Sequence, residues 1–356
     1  MKKFCVVSGF LGSGKTTAMM ALTQYFTKHH GKSAMISNDL GGPGLADNRL
    51  ARLGGCNASE LTGTCICYQT ENLVNRLNQL FQEEGCELVL SDIPGFGVGA
   101  LDHVYHTLDR EYHGQFPLAP FTVVCEPLRI RALMDGREAE LSYILKSQLL
   151  EADLIVLNKC DLLSADEKDA MLAYLQENYP DADRVGISAL TGEGLEALSQ
   201  KLIQGTASMH LPDLRYGGTE FKTAMGHFSE YNIQYYAVVC CETFDGNAYL
   251  TEIADSVRNQ LRKIPGSEIP HLKLLAWTPE GDYGKMDLLG LDRPTETVQR
   301  FQNPCTEVAA VLNTSAMCPH SQLDQIITST VEAVSEQYNL SMMIYKKECF
   351  SAMGES

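Results

Sequence analysis

The chain has 356 residues, 44% of them hydrophobic, which is long enough for a sizeable core and for a larger and a smaller domain. Its formal net charge of −17 disfavours binding to nucleic acid or to anionic membranes, since phosphate surfaces are held by clustered Lys and Arg. No apolar run reaches membrane-spanning length, so the chain is predicted to be cytoplasmic, and its twelve cysteines are therefore expected to be reduced thiols.

The first predicted strand, Phe4 to Val7, leads through Gly-Phe-Leu-Gly-Ser-Gly-Lys-Thr into a predicted helix that runs to about His29. This pattern is typical of a phosphate-binding loop, because the glycines permit a tight turn whose N–H groups face phosphate oxygens. Lys15 is predicted to reach the β- and γ-phosphates and Thr16 to ligate Mg²⁺. A glycine-rich turn with a chance lysine is the alternative. The predicted nucleotide contacts of this loop are Gly9, Gly12, Ser13, Gly14, Lys15, Thr16 and Thr17.

The second predicted strand, Lys32 to Ser37, ends in a loop rich in turn-forming residues, Asn38 to Gly44. Loops after the strands of an open α/β sheet lie on the edge where ligands bind. We therefore expect an acidic residue here to hold Mg²⁺, with Asp39 as the first candidate and Asp47 as the second. A simple turn-capping role for Asp39 is equally compatible with the pattern.

Two cysteines, Cys65 and Cys67, precede a predicted amphipathic helix from about Gln69 to Gln82. A helix N-terminus lowers thiol pKa values and so favours the thiolate that binds metals. Tetrahedral zinc needs four ligands, or three and an exchangeable one, and Cys56 is the candidate for a third thiol. The alternative is a pair of cysteines packed beneath a loop.

The next strand, Glu87 to Ser91, ends in Asp-Ile-Pro-Gly at Asp92 to Gly95. In phosphate-loop nucleotidases such a segment organises Mg²⁺ and senses the γ-phosphate through a glycine N–H. Lys15, Asp92 and Gly95 are therefore the predicted catalytic residues. Farther on, His103 and His106 would share a helical face and suit a metal, although exposed surface histidines are the commoner case.

The sequence Asn-Lys-Cys-Asp at 158–161 follows a predicted buried strand, Asp153 to Leu157. An aspartate in this position accepts hydrogen bonds from N1–H and the exocyclic amine of guanine, which adenine does not offer in that arrangement. Ser188 and Ala189, after a strand from Arg184 to Ile187, are predicted to support the base from its other side. The predicted guanine contacts are Asn158, Lys159, Asp161, Ser188 and Ala189.

Periodicity fades from residue 206 to 232, which predicts a linker, and the remainder predicts a β-α-β-β-α-β order. The fold class expected is α/β. It combines a nucleotide-binding domain over 1–205, with a mainly parallel doubly wound sheet, and a smaller α+β, ferredoxin-like domain over 233–350. The other predicted elements are strand 121–125, helix 130–150, helix 193–204, strand 233–241, helix 248–261, strand 271–277, a Gly/Asp-rich stretch 278–294, strand 307–314, helix 321–338 and strand 341–346.

Over residues 1 to about 205 the chain resembles the CobW-like GTPases, grouped with UreG, HypB and MeaB. The resemblance is carried by the phosphate loop, by Glu-Leu-x-x-x-Cys-Ile-Cys at 60–67, by Asp92 with Gly95, by Gln148 and by Asn-Lys-x-Asp. It implies GTP hydrolysis coupled to the handling of zinc, nickel, cobalt or a metallocofactor, and a nucleotide-dependent homodimer in several relatives. The chain departs from the family pattern in several places. Tyr68 replaces the third thiol of Cys-x-Cys-Cys, Gly42 replaces the second carboxylate of Asn-Glu-Phe-Gly-Glu, and Asp92 replaces the Glu of Glu-x-x-Gly. The His-rich tract of many zinc-handling members is also absent.

The resemblance favours a metallochaperone that passes Zn²⁺, Co²⁺ or Ni²⁺ to a client metalloprotein under control of its GTP and Mg²⁺ cycle. One alternative is a MeaB-like chaperone for a corrinoid enzyme that holds no free metal. A metal-independent switch or a kinase is a further class, which nucleotide preference would distinguish. Hydrolysis is expected to be slow alone, because no water-positioning Gln or arginine finger is evident.

Overall fold

The computed structural model describes residues 2–40, 46–136, 142–214, 218–219, 222, 228–239 and 242–351, apart from the side chains at 39 and 40. The chain divides into two compact units, one formed by Met1–Pro43 with Asp47–Phe221 and the other by Gly44–Ala46 with Lys222–Ser356. Within the described residues, no helix has the length and apolar character that crossing a bilayer requires.

The first unit is built on a seven-stranded sheet whose neighbouring strands all run parallel. Its strands and helices follow one another as β1 (Lys3–Ser8), α1 (Lys15–His29), β2 (Ser33–Leu40), α2 (Ala46–Leu53), β3 (Ala58–Gly63), α3 (Thr70–Asn78), β4 (Leu88–Asp92), α4 (Thr107–Tyr112), β5 (Thr122–Cys125), α5 (Pro127–Met134), α6 (Ser142–Glu151), β6 (Leu154–Leu157), α7 (Ala165–Asn178), β7 (Asp183–Gly186) and α8 (Leu195–Gln204). Short 3-10 turns lie at Ile66–Tyr68 and Cys160–Leu162, and π-helical turns at Gln79–Glu83 and Leu101–His106.

The strand order of this sheet is β3-β2-β4-β1-β5-β6-β7. The inner strands β1, β4, β5 and β6 are buried along their whole length, as expected for a parallel sheet with both faces covered. Because all seven strands are parallel, their carboxyl ends share one edge of the sheet, and the loops that leave this edge carry the predicted site residues. The predicted doubly wound α/β architecture is confirmed.

The second unit contains a six-stranded antiparallel sheet in the order β11-β10-β9-β12-β8-β13. The order β9-β12-β8-β13, with one helix between β8 and β9 and another between β12 and β13, is the predicted ferredoxin-like arrangement. The pair β10 and β11 extends it at one edge. The elements of this unit are β8 (Phe228–Val239), α9 (Gly246–Leu261), β9 (His271–Trp277), β10 (Tyr283–Leu288), β11 (Glu296–Gln299), β12 (Glu307–Met317), α10 (His320–Gln337) and β13 (Leu340–Ser351).

Several local predictions differ from the structure. Strand β2 continues to Leu40, so residues 38–40 are extended rather than part of a loop, and residues 41–44 of the predicted loop lie outside the described part. Strands β3, β10 and β11 were not predicted, and β8 begins at Phe228, inside the stretch predicted as a linker. The predicted helix 130–150 is two helices, α5 and α6, and the helix predicted over 69–82 ends in a π-helical turn.

Candidate functional site

The loop between β1 and α1 has a backbone that only glycine adopts easily. Gly9 has φ 138° and a Cβ there would lie 2.1 Å from the backbone oxygen of Val124, while Gly12 has φ 80°. Gly14, with φ 86°, is the left-handed residue from which α1 starts. An L side chain at these positions is strained, so the glycines are needed to shape the loop. The loop thus turns tightly into the N-terminus of α1, the geometry that a phosphate cradle requires.

The polar side chains of this loop agree with a phosphate ligand. Lys15 Nζ donates to the carbonyl oxygen of Gly9 at 2.7 Å, so its ammonium group lies over the loop. Ser13 Oγ is buried and has no hydrogen-bond partner among the described residues, which leaves a donor available to a ligand. Thr17 lies half-buried in the first turn of α1. These features fit a bound nucleotide.

Of the two acidic candidates for Mg²⁺, the structure brings Asp47 to the loop. Thr16 Oγ1 donates to Asp47 Oδ2 at 2.7 Å, and Asp47 is only 4% exposed. Asp39 lies in β2, and its side chain is outside the described part of the chain. A threonine hydroxyl beside a buried carboxylate is an oxygen donor set that suits Mg²⁺.

Asp92 is the last residue of β4, and Gly95 lies against the phosphate loop. Asp92 Oδ1 accepts a 2.6 Å hydrogen bond from the backbone N–H of Asn38 on the adjacent strand β2. A Cβ on Gly95 would lie 2.4 Å from Leu11 Cδ2, so Gly95 approaches the phosphate loop more closely than a larger residue could. The segment after β4 thus packs directly against the phosphate loop.

Helix α6 fixes the segment that follows Asp92, through two buried side chains that were not predicted to do so. Gln148 Nε2 donates to the carbonyl oxygens of Gly95 and Gly97 at 3.1 and 2.9 Å. Glu151 accepts from the N–H groups of Gly99 and Leu101 at 2.9 and 3.0 Å. Burial raises the pKa of Glu151 to about 7, and the two backbone hydrogen bonds oppose that rise.

The predicted guanine contacts meet at the ends of β6 and β7. Asn158 Nδ2 donates to the Ser13 carbonyl oxygen at 3.1 Å, and Asn158 Oδ1 accepts from the Ala189 N–H at 3.1 Å, so Asn158 joins the two loops. Ser188 Oγ donates to Asp161 Oδ1 at 2.6 Å. This bond orients the carboxylate and leaves its other oxygen for a base.

Glu126, which the sequence analysis missed, holds Lys159. Its Oε2 accepts from Lys159 Nζ at 3.2 Å, and Glu126 is 3% exposed. Lys159, just after the end of β6, has φ 60°, in the left-handed region. Arg129 lies 4.1 Å above the ring of Phe10 in the phosphate loop. The sequence feature that could have identified Glu126 is its position between strand β5 and the proline that starts α5.

Cys65 and Cys67 are brought together by the 3-10 turn that follows β3, with their sulfur atoms 2.8 Å apart. The pKa of Cys65 is lowered, chiefly by its hydrogen bond with the Cys67 thiol. The same contact, followed by burial, raises the pKa of Cys67. The pair therefore favours one thiolate and one thiol, and a divalent metal would have to displace the remaining proton.

Cys56 does not join this pair, which corrects the prediction of a third thiol. It precedes β3 whereas Cys65 follows β3, and a six-residue strand spans about 20 Å. The Cys56 sulfur instead packs 3.8 Å from the carbonyl oxygen of Met20. In the described ranges no three His, Cys, Asp or Glu side chains form a metal-binding group. His103 and His106 therefore have no third metal-ligating side chain beside them among the described residues.

Comparison with known proteins places these features in a family context. Residues 3–185 match the family model described as CobW/HypB/UreG, nucleotide-binding domain. A curated relative, the zinc chaperone YeiR of Escherichia coli K12, is 28% identical over 186 residues, which are 51% of this chain and 53% of YeiR. The match therefore spans about half the length of that relative.

Solved structures that align with the chain have low sequence identity to it. HypB from Helicobacter pylori, in complex with nickel, aligns with TM-score 0.43 at 14% identity, over 59% of this chain and 92% of HypB. The Zn(II)-bound YjiA GTPase from E. coli aligns with TM-score 0.40 at 14% identity, over 92% of this chain and 98% of YjiA.

Proposed function

The chain belongs to the CobW/HypB/UreG family, whose nucleotide-binding domain its residues 3–185 match, and we propose that it is a GTPase metallochaperone. It binds GTP with Mg²⁺, hydrolyses it slowly, and uses the nucleotide cycle to deliver a metal ion to a client metalloprotein in the cytoplasm. The observation that carries the proposal is the shared sheet edge. The phosphate loop after β1, Asp92 at the end of β4 and the two thiols after β3 all lie at the carboxyl ends of strands of one sheet.

Guanine selectivity follows from the ends of β6 and β7. The carboxylate of Asp161, oriented by Ser188, accepts from N1–H and the exocyclic amine of guanine, and adenine does not offer these donors in that arrangement. Asn158 ties this contact to the phosphate loop through Ser13, so the base and the phosphates are bound by one connected set of loops.

In the phosphate site, Lys15 leaves the Gly9 carbonyl oxygen and pairs with the β- and γ-phosphates. Thr16, Asp47 and Asp92 are the residues that would hold Mg²⁺, which when bound neutralises charge on the phosphate oxygens. Gly95 offers its N–H to the γ-phosphate, and Gln148 holds the carbonyl oxygen of the same residue. Hydrolysis would release this segment from the phosphate.

The metal cargo binds the Cys65 and Cys67 thiolates, and zinc is the first candidate because the curated relative is a zinc chaperone. Two thiolates supply two of the four ligands that tetrahedral zinc takes, which leaves positions for a client or for a second copy of the chain. An incomplete ligand set suits a carrier, because a client with a complete set binds the metal more tightly. Co²⁺ and Ni²⁺ are the other cargoes to be tested.

The corrinoid-chaperone alternative gains no support from the relatives reported above, which are described by zinc and nickel. The decisive experiment is a titration of the reduced protein with Zn²⁺, Co²⁺ and Ni²⁺, first with GDP and then with a non-hydrolysable GTP analogue. We expect one metal to bind stoichiometrically, with affinities that differ at least about tenfold between the two nucleotides, which is about 1.4 kcal/mol of coupling.

The Cys65→Ser variant is expected to lose this metal while it retains GDP. The Cys349→Ser variant, which changes a thiol of the second unit, is the control and should behave as the unchanged protein. If no metal binds with either nucleotide, the metallochaperone proposal is wrong.

A further inference from the structure

Asn38, near the end of β2, forms hydrogen bonds on two opposite sides of itself. Its backbone N–H donates to Asp92 Oδ1 at 2.6 Å, which is the nucleotide side of the sheet edge. Its side-chain Nδ2 donates to the carbonyl oxygens of Leu61 and Thr64 at 3.0 and 2.9 Å, and Oδ1 accepts from the Ile66 N–H at 2.7 Å. Asn38 is therefore in direct contact with both functional segments.

The three side-chain bonds enclose the thiol loop. Thr64 immediately precedes Cys65, and Ile66 lies between the two cysteines. The Asn38 amide therefore fixes the backbone on both sides of Cys65. Only an amide can donate twice and accept at the same time in this geometry. Asn38 is 1% exposed, and a buried amide with all these bonds formed is costly to displace, so it moves together with its partners.

We propose that Asn38 is the positioning residue that transmits the nucleotide state from Asp92 to the Cys65 and Cys67 pair. The inference rests on the proposed function. When Asp92 changes its contacts between the GTP and GDP states, the bond to the Asn38 N–H moves the end of β2. The Asn38 amide then shifts the backbone on both sides of Cys65 and changes the separation and exposure of the two sulfur atoms.

A purely local role, in which Asn38 merely stabilises the thiol loop, predicts a different outcome. Gln69 offers the matched control, because its Nε2 donates to the carbonyl oxygens of Thr62 and Thr64 at 3.3 and 2.5 Å. It holds the same loop but has no bond to Asp92 among the hydrogen bonds described. If loop stability is all that matters, Gln69→Glu and Asn38→Asp should behave alike.

Asn38→Asp keeps an acceptor for the Ile66 N–H and removes both side-chain donors. A second variant, Ile66→Pro, removes the N–H that reaches Asn38 without changing β2. Cys65 has φ −57° and ψ 143°, a conformation that a following proline accepts, and Ile66 begins the 3-10 turn, where proline is tolerated. At least one of the two variants is expected to fold, which circular dichroism and GDP binding would establish.

The experiment compares the unchanged protein, Asn38→Asp, Ile66→Pro and Gln69→Glu, each with GDP and with a GTP analogue. Two quantities are measured: Zn²⁺ affinity, and the rate at which iodoacetamide alkylates Cys65 and Cys67, followed by mass spectrometry of the peptide. The second readout needs no metal. We expect nucleotide to change both quantities at least about tenfold in the unchanged protein and in Gln69→Glu.

In folded Asn38→Asp or Ile66→Pro the nucleotide dependence should fall to about twofold or less, with GDP affinity unchanged within about threefold. If the unchanged protein shows the dependence and these variants keep it, the role of Asn38 is refuted while the proposed function stands. If Gln69→Glu loses the dependence as fully as they do, Asn38 has only a local role. If the unchanged protein itself shows no dependence on nucleotide, both the inference and the coupled function fail.

Discussion

The hydroxyl of Thr16 donates a 2.7 Å hydrogen bond to Oδ2 of Asp47, so a carboxylate of α2 lies at the first turn of α1. The sequence alone ranked Asp47 second as a Mg²⁺ candidate, behind Asp39. A carboxylate beside the phosphate-loop threonine is where a cation bound to the β- and γ-phosphates would find a further oxygen.

Replacement of Asp47 by Asn is therefore expected to weaken the Mg²⁺-dependent part of GTP-analogue binding by about tenfold, or about 1.4 kcal/mol. Nucleotide binding without Mg²⁺ should be unchanged or slightly stronger, because a negative charge near the phosphates is removed. Fluorescent-nucleotide titrations with Mg²⁺ and with EDTA measure both. Asp109→Asn, on the exposed side of α4, is the control, and an equal effect of the two changes would dismiss Asp47 as a Mg²⁺ residue.

Asp161→Asn is expected to reduce GDP affinity by about 100-fold, which is about 2.7 kcal/mol, because the base loses a charged acceptor for two donors. Xanthosine diphosphate has a carbonyl where guanine has its exocyclic amine, and an asparagine amide can donate to that carbonyl. The affinity of the variant for the xanthine nucleotide, relative to GDP, should therefore rise. Competition titrations of GDP against the xanthine nucleotide test the prediction, with Asp169→Asn on α7 as a control that should retain guanine preference.

The raised pKa of Glu151 predicts a pH dependence of stability. Its pKa is about 7 in the folded protein against an ordinary value of 4.5, so the folded state holds a proton that the unfolded state releases between these pH values. This contribution to stability is complete below pH 4.5 and is lost as pH rises through about 7. The free energy of unfolding should fall over this window by roughly 3 kcal/mol more than in Glu151→Gln.

Urea unfolding of the two proteins from about pH 5 to about pH 8 measures this difference, because the other titrating groups are shared. If plots of the free energy of unfolding against pH stay parallel for the two proteins, Glu151 has an ordinary pKa. Glu167→Gln, which changes an exposed residue of α7, serves as the control and should leave the difference from the unchanged protein constant above pH 6, or thereabouts.

Gly9 and Gly55 both have positive φ values, 138° and 76°, but differ in their surroundings. A Cβ at Gly9 would meet the Val124 backbone oxygen at 2.1 Å, whereas nothing lies within 4 Å of one at Gly55. Gly55→Ala should lower the free energy of unfolding by about 1 kcal/mol from backbone strain alone. Gly9→Ala adds a clash between β1 and β5 and should cost more than about 3 kcal/mol. Equal losses in urea unfolding would contradict this account.

The parts of the fold that were predictable depend on local chemistry. The glycines of the phosphate loop predict a turn with positive φ, and long apolar runs predict strands buried on both faces. Helix α1 begins at Lys15, where the pattern places it. In the second unit, helices between strands were enough to predict the order of a ferredoxin-like sheet, although β10 was hidden in a stretch rich in Gly and Asp.

Other features depend on neighbours distant in sequence. Strand β3 has no alternating pattern and is half-buried, so only its pairing with β2 makes it a strand. Cys56 was the candidate for a third thiol beside Cys65 and Cys67, yet the extended strand β3 between them keeps it apart. The roles of Glu126 and Glu151 could not be predicted, because they depend on the fold. It buries Glu126 beside Lys159, and Glu151 beside two backbone N–H groups.

The position of β3 at the edge of the seven-stranded sheet has a consequence for the proposed exchange of a metal ion. In the sheet it pairs with β2 alone, so detaching it breaks that one ladder and the Asn38 bond to the Leu61 carbonyl oxygen, and leaves the inner strands paired. Such sub-global opening requires far less free energy than unfolding of the domain, and amide protons at Ser59 and Leu61 should exchange with solvent before those of β1. Under the proposed function, such opening would expose the thiol loop that follows β3 while the inner strands of the sheet stay paired.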